Sequence, residues 1–319
     1  MAQIDFLTEP PAVPVVQGNP DLHEILVLDR GKIAKLTPGR QLRENLNFLQ
    51  GIRQRKYDIV FDFFGNPRSA IITRTSCAKL RVGYNWRGRK YAYNHIVESR
   101  ADRVHEAEFH LDALRSLEIP VESDKLYFPL DSGSPDFVRN FMIRENLEDK
   151  FLAGINCSGG WSAKRWPLAK FAALADRIIE ELEAEILLFW GPGEQPYARK
   201  ISQMMKRKSI LAPPTSLTQM GALLKQCRFI VSNDSGPMHI AAALEVPTVG
   251  IFGPTNSRLQ GPYGKIHEVA EKTSLECLAC NRTSCDHNSC METLSVDEVW
   301  DAVIRCIEKN RLLSVSTQN

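Results

Sequence analysis

The sequence lacks a marked excess of charge of either sign, and it lacks long apolar runs. Its 319 residues include 40 lysines and arginines against 38 aspartates and glutamates, a balance that argues against a nucleic-acid-binding protein. No apolar run approaches the roughly 18 residues of a membrane-spanning helix. The first residues also lack the basic start and apolar middle of a secretory signal. These absences predict a cytoplasmic protein without a transmembrane segment.

Internal repeats and low-complexity segments are missing too, whereas apolar residues are plentiful. Hydrophobic residues make up 43% of the chain and charged residues 24%, which is the composition of a globular protein and excludes a disordered one. At about 150 residues per domain, the length predicts two domains.

Strand and helix patterns alternate in both halves of the chain. In the first half, Leu42, Leu46 and Leu49 recur at helical spacing, and the strand pattern YDIVFD follows them and ends at the turn GNP. In the second half, strand patterns such as FLAGINCS and ILLFWG alternate with amphipathic helices. The alternation predicts βαβ units with parallel sheets, and therefore an α/β protein.

The best domain boundary is the segment 129–150, which contains prolines and a glycine between the two alternating halves. We therefore expect one domain over residues 1–135 and a second over residues 150–319. The last helical pattern, at about 295–312, is a candidate to pack back on the first domain.

A strand, a tight turn and a helix are predicted over VSNDSGPMHIAAAL, residues 231–244. Pro237 suits the first helical position, and either Asp234 or Ser235 can cap the helix. Gly236 has no side chain, so a ligand can approach the backbone closely. The N–H groups of such a helix start attract anions, and the carboxyl end of a parallel strand is where open α/β sheets bind ligands.

His239 lies one turn into this helix, where it can donate a hydrogen bond to a phosphate or a sugar hydroxyl. The competing interpretation is a well-capped helix with a buried histidine. A second strand ends nearby in the turn FGPT, residues 252–255, and the loop PYG follows it. Two strand ends side by side form a crevice, which favours a ligand site.

The run DSGPMHIAAALEVPTVGIFGPT, followed by GPYG, resembles the signature of glycosyltransferase family 9. That family includes the ADP-heptose:lipopolysaccharide heptosyltransferases. The resemblance extends to KRWP at 164–167, to GPGE at 191–194 and to the cysteine cluster that ends in CM, and it spans most of 150–300. The N-terminal half matches more loosely, through NPDLHEIL, YDIVFDFFGNPRSA and RVGY.

The resemblance implies a GT-B fold, with two Rossmann-like domains facing across a cleft. The C-terminal domain would hold a nucleotide-sugar donor and the N-terminal domain the acceptor. The implied reaction is inverting transfer of heptose from ADP-heptose to a lipid-linked saccharide of the lipopolysaccharide inner core. It needs no cofactor and no divalent metal, and the acceptor would place the protein peripherally at the inner face of the inner membrane.

The resemblance also implies a donor site. Lys164 would contact donor phosphate, and Glu194 stands where the family's acidic residue contacts the ribose or base. The donor motif itself falls on Asp234, Ser235, Gly236 and His239. The family usually has threonine at position 235, and serine keeps the hydroxyl. A solvated surface lysine at 164, and a glutamate that merely complements a helix dipole at 194, are the alternatives.

Acceptor contacts are expected from arginines of the first half, because guanidinium groups suit the phosphates of an anionic lipid saccharide. The candidates are Arg68, Arg81 and Arg89. For each of them a solvated surface position is the alternative interpretation.

The family normally begins with a strand, a Gly-rich turn and a helix, and an aspartate in that turn is assigned as the base that activates the acceptor. The present sequence starts at what matches the second strand. The first strand lies centrally in a Rossmann sheet of order 3-2-1-4-5. We therefore expect an incomplete N-terminal domain in which two neighbouring strands lack a shared partner.

Asp62, at the end of the strand YDIVFD, is the nearest carboxylate that could replace this base, although a strand-end aspartate commonly caps the next turn. Loss of the base would make the chain a nucleotide-sugar-binding paralogue without transfer activity. A nucleotide-sugar epimerase is a further alternative, against which the family motif argues.

Four cysteines fall within a short loop sequence, at positions 277, 280, 285 and 290. A tetrahedral zinc site or an iron–sulfur site built by Cys277, Cys280, Cys285 and Cys290 is one interpretation. A loop of partly buried reduced thiols, or a conditional disulfide, is the other, and the spacing differs from the paired CxxC of a zinc ribbon. In either case we expect a structural role, because the loop follows the donor motif.

Overall fold

The computed structural model describes residues 2–86 and 88–313. The chain forms two compact units. The first unit comprises the chain up to Val13 together with Leu22–Asp124, and the second comprises Pro14–Asp21 together with the chain from Lys125 onward. Both units are of the α/β type, and every strand pair in them is parallel.

In its described residues the first unit has five strands, which form two separate sheets. They are β1 (Asp5–Thr8), β2 (Glu24–Val27), β3 (Ile59–Asp62), β4 (Leu80–Tyr84) and β5 (His95–Val97). One sheet pairs β1 with β2, and the other has the order β3-β4-β5. Among the described residues, neither β1 nor β3 pairs with a second strand.

The helices of the first unit follow its strands. They are α2 (Arg30–Ala34), α3 (Pro38–Gln54), α4 (Pro67–Thr75) and α5 (Glu106–Arg115), whereas the preceding short helix α1 (Val13–Val16) belongs to the second unit from Pro14 onward. The leucine pattern correctly predicts α3, but only part of it is buried. Leu49 and Ile52 pack with Ile72 of α4, whereas Leu42 and Leu46 remain 62% and 55% exposed.

The second unit is built on one six-stranded parallel sheet. Its strands are β6 (Leu152–Asn156), β7 (Glu185–Phe189), β8 (Ile210–Leu211), β9 (Phe229–Asn233), β10 (Thr248–Phe252) and β11 (Glu268–Glu271). Their order is β11-β10-β9-β6-β7-β8. The chain therefore winds outward from β6 in one direction and from β9 in the other, and the switch point lies between these two strands.

Helices cover both faces of this sheet. They are α6 (Ser134–Arg144), α7 (Leu168–Leu182), α8 (Gln195–Met204), α9 (Leu217–Leu224), α10 (Gly236–Ala243), α11 (Ser257–Gln260), α12 (Ser289–Glu292) and α13 (Val296–Asn310). The four inner strands, β6, β7, β9 and β10, are almost fully buried, as expected for a parallel sheet with helices on both sides.

The last helix, α13, packs on β9, β10 and β11 and on α7. Its residues Trp300, Val303 and Cys306 belong to the core of the second unit. The apolar face of this helix is therefore buried within its own unit. Packing of the helix on the first domain stays a prediction.

The boundary between the units lies earlier than the sequence indicates. Phe128, Phe141 and Leu147 are buried in the same cluster as Leu152 of β6. The segment 129–150 was expected to separate the domains, yet its apolar side chains close one face of the second sheet. It therefore belongs to the second unit.

Candidate functional site

The carboxyl ends of β6 and β9 meet at the switch point of the second sheet, and each ends in a buried asparagine. Asn156 Nδ2 donates to Ser232 Oγ (2.8 Å) and to Ser235 Oγ (2.9 Å). Asn233 Nδ2 donates to the carbonyl oxygen of Cys157 (2.9 Å). Each asparagine therefore ties the end of its own strand to the neighbouring strand, and this fixes the loops that follow.

The thiol of Cys157 lies directly after β6 and is buried. Burial raises the pKa of this thiol to about 12. The thiol is therefore protonated near neutral pH and cannot act as a nucleophile there.

The helix α10 begins at this edge with an open first turn. Ser235 is its N-cap residue in extended conformation, but its side chain makes no capping hydrogen bond. Its hydroxyl donates instead to the carbonyl oxygen of Asn233 (3.1 Å). Gly236 is exposed, and a Cβ atom built on it would meet nothing within 4 Å. The helix start therefore presents backbone N–H groups on an unobstructed side, which suits an anion.

Asp234 does not cap the helix either, because two other groups hold its carboxylate. Lys164 Nζ lies 2.6 Å from Asp234 Oδ2, and Thr255 Oγ1 donates to the same oxygen at 2.5 Å. The side chains of Asp234 and Lys164 are 5% and 15% exposed. Lys164 is therefore not a solvated surface lysine but one half of a largely buried ion pair.

The ammonium group of Lys164 also lies over an aromatic ring, 4.3 Å from the ring centroid of Trp161. This contact adds a cation–π attraction to the ion pair. The side chain is thus held on two sides, by an indole face and by a carboxylate, at the edge where α10 begins.

Glu194 belongs to the loop after β7, on the other side of β6. It is the N-cap residue of α8, yet its side chain makes no capping bond. Its Oε1 atom accepts a long hydrogen bond from the Gly159 amide (3.4 Å) and lies 3.5 Å from Arg165 Nη2. Arg165 in turn donates to the carbonyl oxygen of Gly159 (2.8 Å). Glu194 is thus tied to the loop that carries Lys164.

The predicted donor residues therefore stand on loops of one sheet edge. Lys164 and Asp234 touch, Ser235 and Gly236 follow Asp234 directly, and half-buried His239 lies one turn into α10. Glu194 joins them through Arg165 and Gly159. Sequence reasoning did not assign Thr255 to the site, although it noted the turn FGPT. It missed Asn156 and Asn233, whose signal is a polar residue at the end of an apolar strand.

Comparison with known proteins decides the family. The sequence model of glycosyltransferase family 9 (heptosyltransferase) matches residues 45–290. The chain belongs to glycosyltransferase family 9. It is therefore a glycosyltransferase, as the sequence motifs predict, and the epimerase alternative is not supported.

Relatives of this chain are named as heptosyltransferases of lipooligosaccharide or lipopolysaccharide. Lipooligosaccharide heptosyltransferase 2 of Campylobacter jejuni is 26% identical over 294 residues, which cover 90% of this chain and 84% of that protein. Lipopolysaccharide heptosyltransferase 1 of Pseudomonas aeruginosa is 28% identical over 280 residues, covering 85% and 75%.

Solved structures confirm the fold. The glycosyltransferase family 9 protein of Veillonella parvula superposes with a TM-score of 0.81 at 22% identity, covering 96% of this chain and 88% of its own. ADP-heptose lipopolysaccharide heptosyltransferase II of Escherichia coli gives 0.72 at 19% identity, covering 98% and 91%. The chain therefore shares the α/β GT-B fold of the family 9 enzymes.

The candidate base of the first unit, Asp62, is buried at the end of β3. Its Oδ1 atom accepts hydrogen bonds from the amides of Phe64 (3.1 Å) and Gly65 (2.9 Å). Its Oδ2 atom accepts one from Tyr93 Oη (2.7 Å). Burial, and then the bond to Asp62, raise the pKa of Tyr93. This arrangement fits the alternative interpretation, in which Asp62 caps the turn after its strand.

The three arginines that are predicted to contact the acceptor differ in their surroundings. Arg68 is exposed in the first turn of α4. Arg81 donates to the carbonyl oxygens of Ala92 and Ala78 (3.0 and 2.7 Å), and Arg89 donates to that of Gly65 (2.9 Å). Arg81 and Arg89 thus stabilise loops of the first unit, while Arg68 is exposed to solvent, and its role as an acceptor contact stays a prediction.

The four clustered cysteines are free thiols of unequal exposure. Cys277 and Cys280 are exposed, Cys285 is half-buried and Cys290 is buried. Within residues 2–86 and 88–313, the ionisable groups close enough to share an ion are Asp5, His23 and Glu24. No three of the cysteine sulfurs are gathered as a tetrahedral site requires, so the geometry fits the interpretation of reduced thiols.

The cysteine loop instead braces the donor edge. The amide of Ala279 donates to the carbonyl oxygen of Gly253 (2.9 Å), and that of Asn281 donates to Pro254 (2.6 Å). The amide of Ala163 donates to the carbonyl oxygen of Thr283 (3.4 Å). The loop thereby contacts both the turn that carries Thr255 and the segment that carries Lys164, which agrees with a structural role.

No helix in the described part of the chain is both long enough and apolar enough to cross a bilayer.

Proposed function

We propose that this glycosyltransferase moves heptose from ADP-heptose to a lipid-linked saccharide of the lipopolysaccharide inner core, with inversion and without a divalent metal. The names of its relatives support the sugar and the acceptor. The observation that carries the donor assignment is the ion pair of Lys164 and Asp234 beside the open first turn of α10.

The leaving group of this reaction is a nucleoside diphosphate, which carries concentrated negative charge. An ammonium group has three N–H donors, and the ammonium group of Lys164 is held in an ion pair with Asp234. The partial positive charge of the α10 N-terminus lies beside it. Cationic groups that are held in place before reaction stabilise a departing diphosphate without costly reorganisation, and this removes the need for a metal ion.

The remaining donor residues fit the other parts of an ADP-sugar. Glu194, on the loop after β7, is assigned to the ribose or base, and half-buried His239 to a phosphate or a sugar hydroxyl. On the acceptor side, exposed Arg68 is the best placed of the three arginines to meet an acceptor phosphate. Such an acceptor would bring the enzyme to the inner face of the inner membrane.

A second candidate function is donor binding without transfer. It is favoured by Asp62, whose two carboxylate oxygens already accept hydrogen bonds from Phe64, Gly65 and Tyr93. A general base must reach the acceptor hydroxyl and accept its proton. Asp62 is the candidate base named from the sequence, and its carboxylate oxygens are already held by these three donors.

The test of the proposal is a transfer assay with purified chain, ADP-heptose and lipopolysaccharide from a strain that lacks inner-core heptose. Transfer appears as ADP release coupled to a mass increase of the acceptor by one heptose. Calorimetry with ADP runs in parallel. Binding with no transfer supports the second candidate, and failure to bind ADP at all contradicts both.

A further inference from the structure

Two leucines of α3 stand exposed on a helix whose other large apolar residues are half-buried or buried. Leu42 and Leu46 are 62% and 55% exposed, although they continue the apolar pattern of this helix. Phe48, Leu49 and Ile52, further along α3, pack into the core of the first unit. The exposed pair therefore flanks the core-facing side without contributing to it, and the first unit gives it no apolar cover.

The surroundings of these leucines are strongly basic. From residue 30 to residue 43 the sequence has no aspartate or glutamate. It has five cationic residues in that stretch, namely Arg30, Lys32, Lys35, Arg40 and Arg43. Arg30 is paired with Glu9 (2.9 Å). The rest of the chain carries more acidic than basic residues, so this concentration of positive charge is local.

The helix geometry separates the leucines from the acidic residue of α3. At about 3.6 residues per turn, Leu42, Arg43 and Leu46 lie on one side of the helix. Glu44 stands about half a turn away from both leucines, on the opposite side. The exposed side of α3 is therefore apolar and cationic together.

The neighbouring helix holds further cations at a fixed place beside α3. Gln41 Nε2, in the first turn of α3, donates to the carbonyl oxygens of Leu36 (2.8 Å) and Ala34 (3.2 Å). These bonds tie the end of α2 to the start of α3. Lys32 and Lys35, both exposed, are thereby held near the start of α3 and add to the positive charge there.

We infer that this surface, which we call the α3 surface (Lys32, Lys35, Leu42, Arg43 and Leu46), docks on an anionic lipid bilayer. Exposed leucines insert at the boundary of headgroups and acyl chains, while lysine and arginine side chains reach the lipid phosphates from the same helix. The inference stands on exposure and charge and does not depend on the proposed transfer reaction.

A bilayer fits this surface better than a protein partner. The cores of protein interfaces are depleted in charged residues, whereas Arg43 lies on the same side of α3 as the two leucines, and Lys32 and Lys35 lie near the start of that helix. Each lysine or arginine near an anionic membrane strengthens binding by about fivefold. A helix that carries both leucines and basic residues is therefore attracted to both parts of an anionic membrane surface, the acyl chains and the lipid phosphates.

Co-sedimentation of the full chain with vesicles tests the inference. The vesicles contain either phosphatidylcholine alone or equal parts of phosphatidylcholine and phosphatidylglycerol. We expect binding to the mixed vesicles that weakens about tenfold for each of Leu42→Gln and Leu46→Gln, and about fivefold for Arg43→Gln. Glu44→Gln should strengthen it by a similar factor. Ile143, 50% exposed on α6 of the second unit, provides the matched control Ile143→Gln.

Several outcomes would overturn the inference. They are no binding of the wild-type chain to mixed vesicles, equal loss with Ile143→Gln, or unchanged binding of the leucine variants. Release of the chain by free glycerol phosphate would show a headgroup site rather than a bilayer surface. Dissociation of an oligomer by Leu42→Gln, with vesicle binding unchanged, would assign the surface to protein contact. Thermal melts verify that each variant is folded.

Discussion

The Nζ atom of Lys164 lies 2.6 Å from Oδ2 of Asp234, although the two residues follow different strands of the second sheet. Their contact joins the loop after β6 to the turn after β9 across the switch point. Because both side chains are largely buried, each charge depends on the other for compensation. Loss of Lys164 should therefore affect two quantities, the stability of the folded protein and the affinity of the site for an anionic ligand.

Replacing Lys164 by alanine should weaken ADP binding by about 1–3 kcal/mol, the scale of a charged hydrogen bond. The variant also leaves Asp234 buried without its cation, so its melting temperature should fall. Calorimetry is therefore run where both proteins are folded. Lys208→Ala, at an exposed lysine away from the site, should change neither quantity. Unchanged ADP affinity in Lys164→Ala would remove this residue from the donor site.

Thr255 should act as a positioning residue, because its hydroxyl holds the same carboxylate oxygen as Lys164. Thr255→Val deprives buried Asp234 of one hydrogen bond, and we expect the free energy of unfolding to fall by about 1–3 kcal/mol. ADP affinity should fall less than in Lys164→Ala. Thr255→Ser keeps the hydroxyl and should restore both. Equal behaviour of the valine and serine variants would argue against this role.

Gly236 should matter for the ligand and not for the fold. A Cβ atom at this position would meet nothing within 4 Å, and alanine is the better helix former. We therefore expect Gly236→Ala to keep or raise the melting temperature while it weakens ADP binding, because the added methyl group occupies the side from which the ligand approaches. Wild-type affinity in this variant would show that ADP does not approach the start of α10.

His267 should make the second unit sensitive to acid. The residue is 8% exposed and its Nδ1 atom lacks a hydrogen-bond partner. Burial lowers its pKa from 6.5 to about 4. Between these two values the unfolded chain binds the proton and the folded chain does not. Stability is therefore lost as the pH falls from about 6.5 toward 4, by up to about 3 kcal/mol.

Denaturant melts of the wild type and of His267→Gln at several pH values would measure this contribution. The glutamine variant should lack the part of the pH slope that belongs to His267. Identical slopes for the two proteins would show that the imidazole does not titrate in this range.

The two sheets of the first unit should differ from the second sheet in hydrogen exchange. Strands β1 and β3 each have one neighbour among the described residues, whereas β6 has two. Amides of β1 and β3 that lack a strand partner should exchange much faster than those of β6, which sits inside a six-stranded sheet. Uniform slow exchange across β1, β3 and β6 would mean that these edges are protected in solution.

The sequence alone determines the α/β class, the donor motif and the resemblance to family 9. These features depend on short stretches of chain, namely hydrophobic periodicity, strand-turn-helix patterns and motifs such as DSGPMH. Their periods and turn chemistry are local, so they can be predicted without knowledge of the fold. The helix at 38–54 and the strand before Asp62 are found for the same reason.

Only the tertiary structure decides which residues meet. The contact between Lys164 and Asp234 and the bond from Thr255 join three separate loops, and their distances follow from the strand order of the sheet. The hydrogen bond that the hydroxyl of Tyr93 donates to the buried carboxylate of Asp62 likewise joins residues that are far apart in the sequence. Burial is likewise a property of the assembled unit. Leu42 and Leu49 lie seven residues apart on the same side of α3, yet only Leu49 packs with Ile72 of α4, because the neighbouring elements cover only the later part of this helix.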